Sequence, residues 1–204
     1  MPSPTTAARR ARTRPAGVPS PWQMFFTEFL KHPVMVGSIV PSSDKLIRKM
    51  LGRVDWDNTK VFVEYGPGVG TFCRPILDRM APDATLIVID TNPDFIRYLR
   101  HTITDPRFSA VLGSAADVEK IVADHGFESA DYVLSGLPFS TLPPGVGPAI
   151  AAGTHSVLRS GGAFLVYQFS SKVKDFLTPH FESIDHDMEW WNVPPAQLYW
   201  AWKD

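Results

Sequence analysis

The densest chemistry in this 204-residue chain lies in VFVEYGPGVG, residues 61–70. An apolar, β-branched run delivers the Glu64 carboxylate. Gly66, Gly68 and Gly70 then make a turn that a ligand can approach without meeting a Cβ, just before a helix begins. Taken alone, these glycines also describe a tight strand-to-helix turn that binds nothing. Asp90 argues against that plainer reading. It ends the next apolar run, TLIVID (85–90), about 20 residues further on, where an acidic side chain accepts hydrogen bonds from both hydroxyls of a ribose. The combination predicts a nucleoside cofactor. Dinucleotides normally want G-x-G-x-x-G with a helix N-terminus facing a pyrophosphate. Here the spacing is G-x-G-x-G and an acid precedes the turn. Negative charge at that point is ill suited to pyrophosphate and favours the sulfonium and α-ammonium of S-adenosylmethionine. That cofactor is therefore expected, with S-adenosylhomocysteine as product and no metal, since His/Cys ligand spacings are absent.

Strands and helices must alternate to position these residues. VFVEYG (61–66), TLIVID (85–90), FSAVLG (108–113), DYVLSGL (131–137) and AFLVYQF (163–169) read as strands. Helical stretches near 71–80, from Pro93 through Leu99, near 115–124 and around 146–158 separate them. Such alternation requires right-handed crossovers and a mostly parallel sheet covered on both faces. FESIDHDMEWW (181–191), a tight NVPP and AQLYWAW (196–202) follow, and two strands joined so closely must be antiparallel. The fold class expected is α/β: a doubly wound, mostly parallel seven-stranded sheet ending in an antiparallel hairpin.

Length and composition allow one core and no second full domain. Residues 1–21 carry five prolines and little to bury, and are expected to form a disordered basic tail. Residues 22–52 are expected to form amphipathic helices facing membrane and substrate, and 53–204 the cofactor-binding domain. In the first of these helices Trp22, Phe25, Phe26, Phe29 and Leu30 share one stripe. The second runs from Ser42 or Ser43 to Leu51, with Gly52 ending it. Residues 1–60 hold ten Lys and Arg against four acids, a net +6 that leaves –7 for the remainder. Beside an aromatic stripe, that basic end suits an interfacial helix on an anionic membrane, whereas a stripe of this kind also serves to pack a helix on a core. A single cysteine, Cys73, fits a reducing cytosol. No apolar run reaches the roughly 18–20 residues of a membrane span, and a signal peptide is not expected.

Five alternating units closed by a hairpin, with EYGPGVG (64–70) and LIVID (86–90), resemble the class I methyltransferases. HPVMVGSIVPSS (32–43), SGLPF (135–139), YQF (167–169) and NVPPAQLY (192–199) resemble, more narrowly, the soluble bacterial phospholipid N-methyltransferases. The resemblance spans residues 22–202. It implies methyl transfer from S-adenosylmethionine to the amine of phosphatidylethanolamine, through mono- and dimethyl forms towards phosphatidylcholine. The work would be done by a monomer on the inner face of the cell membrane, reached from the cytoplasm. It also implies that Thr91 and Ser135 join Glu64, the three glycines and Asp90 around the cofactor. Where the family commonly has G-D-A, this chain reads GSAAD (113–117), so Ser114 or Asp117 must stand beside the adenine. Leu137, Phe139 and Tyr167 are expected to face the substrate, with aromatic faces holding a methylated cation. Tyr167 and His32 are the candidates for proton handling, although a histidine before proline also serves as a cap or surface group.

Ribosomal RNA adenine dimethyltransferases carry N-L-P-Y/F where this chain has Gly136-Leu137-Pro138-Phe139. The amide that would hold a flipped adenine is missing, so nucleic acid is not expected as a partner. A small-molecule methyltransferase is a further alternative, and the sequence leaves open whether the lipid is phosphatidylethanolamine or another amine lipid such as an ornithine lipid.

Overall fold

A computed structural model describes residues 44–169, 171–190 and 195–204. The tail 1–21, the Trp22–Leu30 stripe with Phe25, Phe26 and Phe29, and His32 lie outside the described residues. The helix expected to end at Leu51 is present as α1 (Asp44–Leu51). Leu46, Ile47, Met50 and Leu51 recur at helical spacing, so one face of α1 is apolar and buries itself on the sheet. Its apolar face therefore belongs to the domain core, and its outward face carries Lys45 and Arg48.

The strands are β1 (Val61–Tyr65), β2 (Thr85–Asp90), β3 (Phe108–Leu112), β4 (Ala130–Ser135), β5 (Leu158–Gln168), β6 (Ser183–Glu189) and β7 (Ala196–Trp202). Between them lie α2 (Cys73–Leu77), α3 (Pro93–Thr102), α4 (Val118–Asp124), α5 (Val146–Val157) and the short α6 (Lys174–Leu177). One seven-stranded sheet results, in the order β3-β2-β1-β4-β5-β7-β6. β1 to β5 are parallel; β7 runs antiparallel to both β5 and β6. The expected α/β sheet with a terminal hairpin is thus present.

Every residue of β1 is buried because helices cover both faces of the parallel region. Asp131 pins the opposite, amino-terminal edge, where its carboxylate accepts from the Lys60 and Val61 amides at 2.7 and 2.8 Å and pairs with Arg159. The hairpin does not simply extend the sheet in chain order, since β7 inserts between β5 and β6. Composition explains the order. AQLYWAW is apolar on both faces and needs two neighbours, whereas SIDHDME alternates with charge and suits an edge. β5 also starts five residues before the expected Ala163. Gly161 and Gly162 lie inside it, and the register against β4 shifts between Ala130 and Tyr132.

Candidate active site

Strand order reverses between β1 and β4, and in open α/β sheets ligands bind beyond the carboxyl ends of the strands at that point. A cleft lies there, lined by Gly66, Asp90, Thr91, Gly113, Ser114 and Leu137, with Ile89, Ala115 and Ile150 behind them. Four expected cofactor residues, Gly66, Asp90, Thr91 and Ser114, are thereby brought to one wall.

The turn after β1 has Gly66, Gly68 and Gly70 at φ of +63°, +55° and +83°, left-handed conformations that strain other residues. A Cβ on Gly66 would stand 2.9 Å from Leu137 Cδ2, so a side chain there would fill the space between the turn and the loop after β4. One on Gly68 would meet nothing within 4 Å, which leaves that side of the turn open to a ligand. Asp90, 4% exposed, accepts from the Asn92 amide at 2.8 Å and from the amides of Gly68 and Thr91. Burial raises its pKa, and these amides oppose the rise.

Glu64 lies beneath the turn at 2% exposure. The Cys73 thiol at the start of α2 donates to Glu64 Oε2 at 3.3 Å. Burial pushes the Glu64 pKa up to about 8; the thiol lowers it a little, and the nearby Asp90 charge raises it. A carboxyl group held in so dry a place gains most from a cationic neighbour. Cys73 is itself raised by burial and then by Glu64. These observations fit the expected cofactor: a carboxylate for a cation, an acid for ribose hydroxyls and a turn free of side chains.

Further along the same edge, Ser135 ends β4 fully buried, and its Oγ accepts from the Leu137 amide at 3.1 Å. Next to it, a Cβ on Gly136 would lie 2.4 Å from the Tyr167 hydroxyl, so the phenol occupies the space that a side chain at 136 would take. The Tyr167 ring packs on Phe72 at a centroid distance of 5.0 Å. Burial raises the Tyr167 pKa, with Glu64 and Cys73 adding to the rise, so at neutral pH it is an uncharged phenol. Two expected residues lie elsewhere. Phe139 is 1% exposed, its ring packed in the core against Phe164 and Phe176, and Asp117 is exposed outside the cleft lining. Ser114 stands in the cleft wall instead and caps the following turn by accepting from the Ala116 amide at 3.2 Å.

The partnerships of Glu64 with Cys73 and of Gly136 with Tyr167 were not read from sequence, because each joins positions on different elements. A signal that could have found Cys73 is its spacing with Ile76 and Leu77, which puts it on the buried face of α2. Among the described residues no cluster of three His, Cys, Asp or Glu is placed to hold a metal ion, and no helix is long and apolar enough to cross a membrane.

No family model matches the chain. It is 32% identical over 180 residues to the ornithine lipid N-methyltransferase of Singulisphaera acidiphila, spanning 87% of this chain and 94% of that protein. Its fold is similar to that of precorrin-6y C5,15-methyltransferase from Geobacter metallireducens, with a TM-score of 0.63 at 16% identity over 78% of this chain and 88% of that one. It is also similar to the N-methyltransferase NodS from Bradyrhizobium japonicum, with a TM-score of 0.61 at 14% identity over 82% and 99%. The two structural likenesses speak for the fold and not for a substrate. With the glycine turn, the buried acid below it and Asp90 beyond it in place, the chain belongs to the class I S-adenosylmethionine-dependent methyltransferases, in the family that includes the ornithine lipid N-methyltransferase.

Proposed function

We propose that this enzyme methylates the amine of a membrane lipid head group. The ornithine lipid amine is the first acceptor. Phosphatidylethanolamine, through its mono- and dimethyl forms towards phosphatidylcholine, offers the same chemistry and is the second. The observation that carries this reading is the 32% identity over nearly the whole length of an ornithine lipid N-methyltransferase. A peripheral position on the inner face of the membrane accompanies it.

S-adenosylmethionine, held by Glu64, the glycine turn and Asp90, would supply a methyl group on a cationic sulfur, with a neutral thioether as the leaving group and the acceptor nitrogen as the atom that gains the methyl. Such a displacement needs positioning rather than a nucleophilic side chain. Asp90 receives the ribose hydroxyls, Glu64 offers its charge to the cationic end, and Thr91 and Ser114 complete the wall. Tyr167, a neutral phenol, cannot serve as a base at neutral pH. Its oxygen instead accepts a hydrogen bond from the acceptor amine and aims the nitrogen lone pair, while Phe72 holds the ring in place. The dry surroundings of Tyr167 and Leu137 lower the amine's pKa, which favours loss of its proton to water before attack. An adenine acceptor fits less well, because Gly136 presents no side-chain amide to a base edge.

Incubation of the purified chain with methyl-labelled S-adenosylmethionine and vesicles containing ornithine lipid or phosphatidylethanolamine, followed by separation of the lipids, tests the assignment. Label in either amine lipid supports it. Label in neither, from protein that binds the cofactor, rejects it.

A further inference from the structure

We propose that the carboxyl edge of the sheet is the face that docks on a bilayer containing anionic lipid, with a basic groove between α1 and β6 as its electrostatic anchor. This rests on the reading of the acceptor as a lipid, and it names the surface that brings the enzyme to it.

The groove is a shallow depression open to solvent, of about 520 Å³, lined by Lys45, Arg48, Lys49, Met188, Glu189 and Trp190. Its walls are pinned together. Lys49 Nζ bonds the Met188 carbonyl at 2.6 Å and Asp187 at 2.9 Å, Arg53 pairs with Asp185 at 2.5 Å, and Trp200 Nε1 donates to the Met50 carbonyl at 3.0 Å. These contacts run α1 antiparallel to β6, so the start of α1, with Lys45 and Arg48 exposed, stands at the end of β6. That end faces the same way as the active site. Glu189 is opposite Ala196, and the neighbouring Gln197 is opposite Gln168 at the carboxyl end of β5, one residue after Tyr167. Two strand spacings, roughly 10 Å, separate the groove from the acceptor end of the cleft.

A second observation marks the same edge. Five large hydrophobic side chains are conspicuously exposed among the described residues, and four of them lie here: Val69 after β1, Leu112 at the end of β3, Phe169 after β5 and Trp190 after β6. Trp190 is 69% exposed at the rim of the basic groove. Cations beside an indole and a phenyl ring are the complement of a bilayer interface, where phosphates meet acyl chains.

Vesicle co-sedimentation of the full chain, with phosphatidylcholine vesicles that contain or lack phosphatidylglycerol, tests the surface. Lys45→Gln with Arg48→Gln is expected to weaken binding to the anionic vesicles roughly 10- to 30-fold. Phe169→Ser with Trp190→Ser is expected to weaken binding to both kinds of vesicle. Tyr98→Ser, which removes the one large exposed hydrophobic among the described residues that lies away from this edge, leaves binding unchanged. Cofactor affinity measured in parallel confirms that each variant is folded. Wild-type binding by both double variants overturns the proposal, as does a self-association that the same substitutions abolish. Failure of the lipid-acceptor reading looks different, because the wild type would then bind these vesicles yet leave ornithine lipid and phosphatidylethanolamine, supplied in separate vesicles, unlabelled. If the surface alone fails, methylation of micellar lipid persists while the variants still bind vesicles.

Discussion

Replacing Glu64 by Gln separates what the buried carboxyl does for the fold from what it does for the cofactor. Unfolded, the side chain releases its proton near its ordinary value of 4.5; folded, burial holds the proton until about pH 8. Between these values the unfolded chain binds fewer protons than the folded one, so stability falls as pH rises through this window. The gap corresponds to about 5 kcal/mol, of which roughly 3–4 kcal/mol is lost between pH 5 and pH 8. Glutamine keeps the shape and an oxygen for the Cys73 thiol but has no proton to lose. At about 2–4 °C per kcal/mol for a domain of this size, the cofactor-free wild type is expected to lose roughly 10 °C of Tm relative to Glu64→Gln over that range. The contributions of Asp90 and Cys73 are common to both proteins and largely cancel in the difference. Circular dichroism melts of both proteins, freed of cofactor, supply the comparison. The same variant, lacking the charge that meets the cofactor's cation, is expected to bind S-adenosylmethionine about 10- to 100-fold more weakly. Parallel Tm profiles for the two proteins would refute the reasoning, because Glu64 would then not be a buried acid that resists ionisation.

Three further outcomes follow from the site. Asp90→Ala removes the ribose acceptor and is expected to reduce cofactor affinity about 100-fold by calorimetry in a protein that remains folded. Gly66→Val puts a side chain at φ +63° and against Leu137, so cofactor binding is abolished and stability falls by about 1–3 kcal/mol in urea. Tyr167→Phe deletes a positioning hydroxyl while keeping the ring against Phe72; kcat is expected to fall roughly 10- to 100-fold with cofactor affinity unchanged. An unaltered kcat, or a pH profile that loses a basic limb, would instead remove Tyr167 from its positioning role.

The parallel half of the fold was legible because its signals are local. Short β-branched runs become β1 to β4 to within about two residues, and Pro93 opens α3 where Asn92 caps it by accepting from the Asp94 amide at 2.8 Å. Strand order at the far end was less visible. A tight connection says that β6 and β7 are antiparallel and does not say which of them lies beside β5; the charges of SIDHDME against the two apolar faces of AQLYWAW hold that information. The long β5 was shortened in the sequence reading because Gly161 and Gly162 look like a boundary and are instead an irregularity within the strand. In the site, Glu64, the glycines and Asp90 were readable because strand ends and turns encode them within a few residues. Phe139 was placed at the substrate through the resemblance carried by SGLPF, and the structure turns its ring into the core because Phe164 and Phe176, 25 and 37 residues away, wall that space. The approach of Tyr167 to Gly136 is likewise a tertiary fact, written at both positions and visible only when β4 and β5 stand side by side.

The most direct measurement is mass spectrometry of amine lipids recovered after incubation of the purified chain with S-adenosylmethionine and vesicles of ornithine lipid or phosphatidylethanolamine. The account predicts head groups heavier by one methylene per transfer, formed with equal amounts of S-adenosylhomocysteine and lost in Asp90→Ala. Cofactor turnover that leaves every amine lipid at its starting mass, with the methyl group found instead on RNA or a soluble amine, would contradict it.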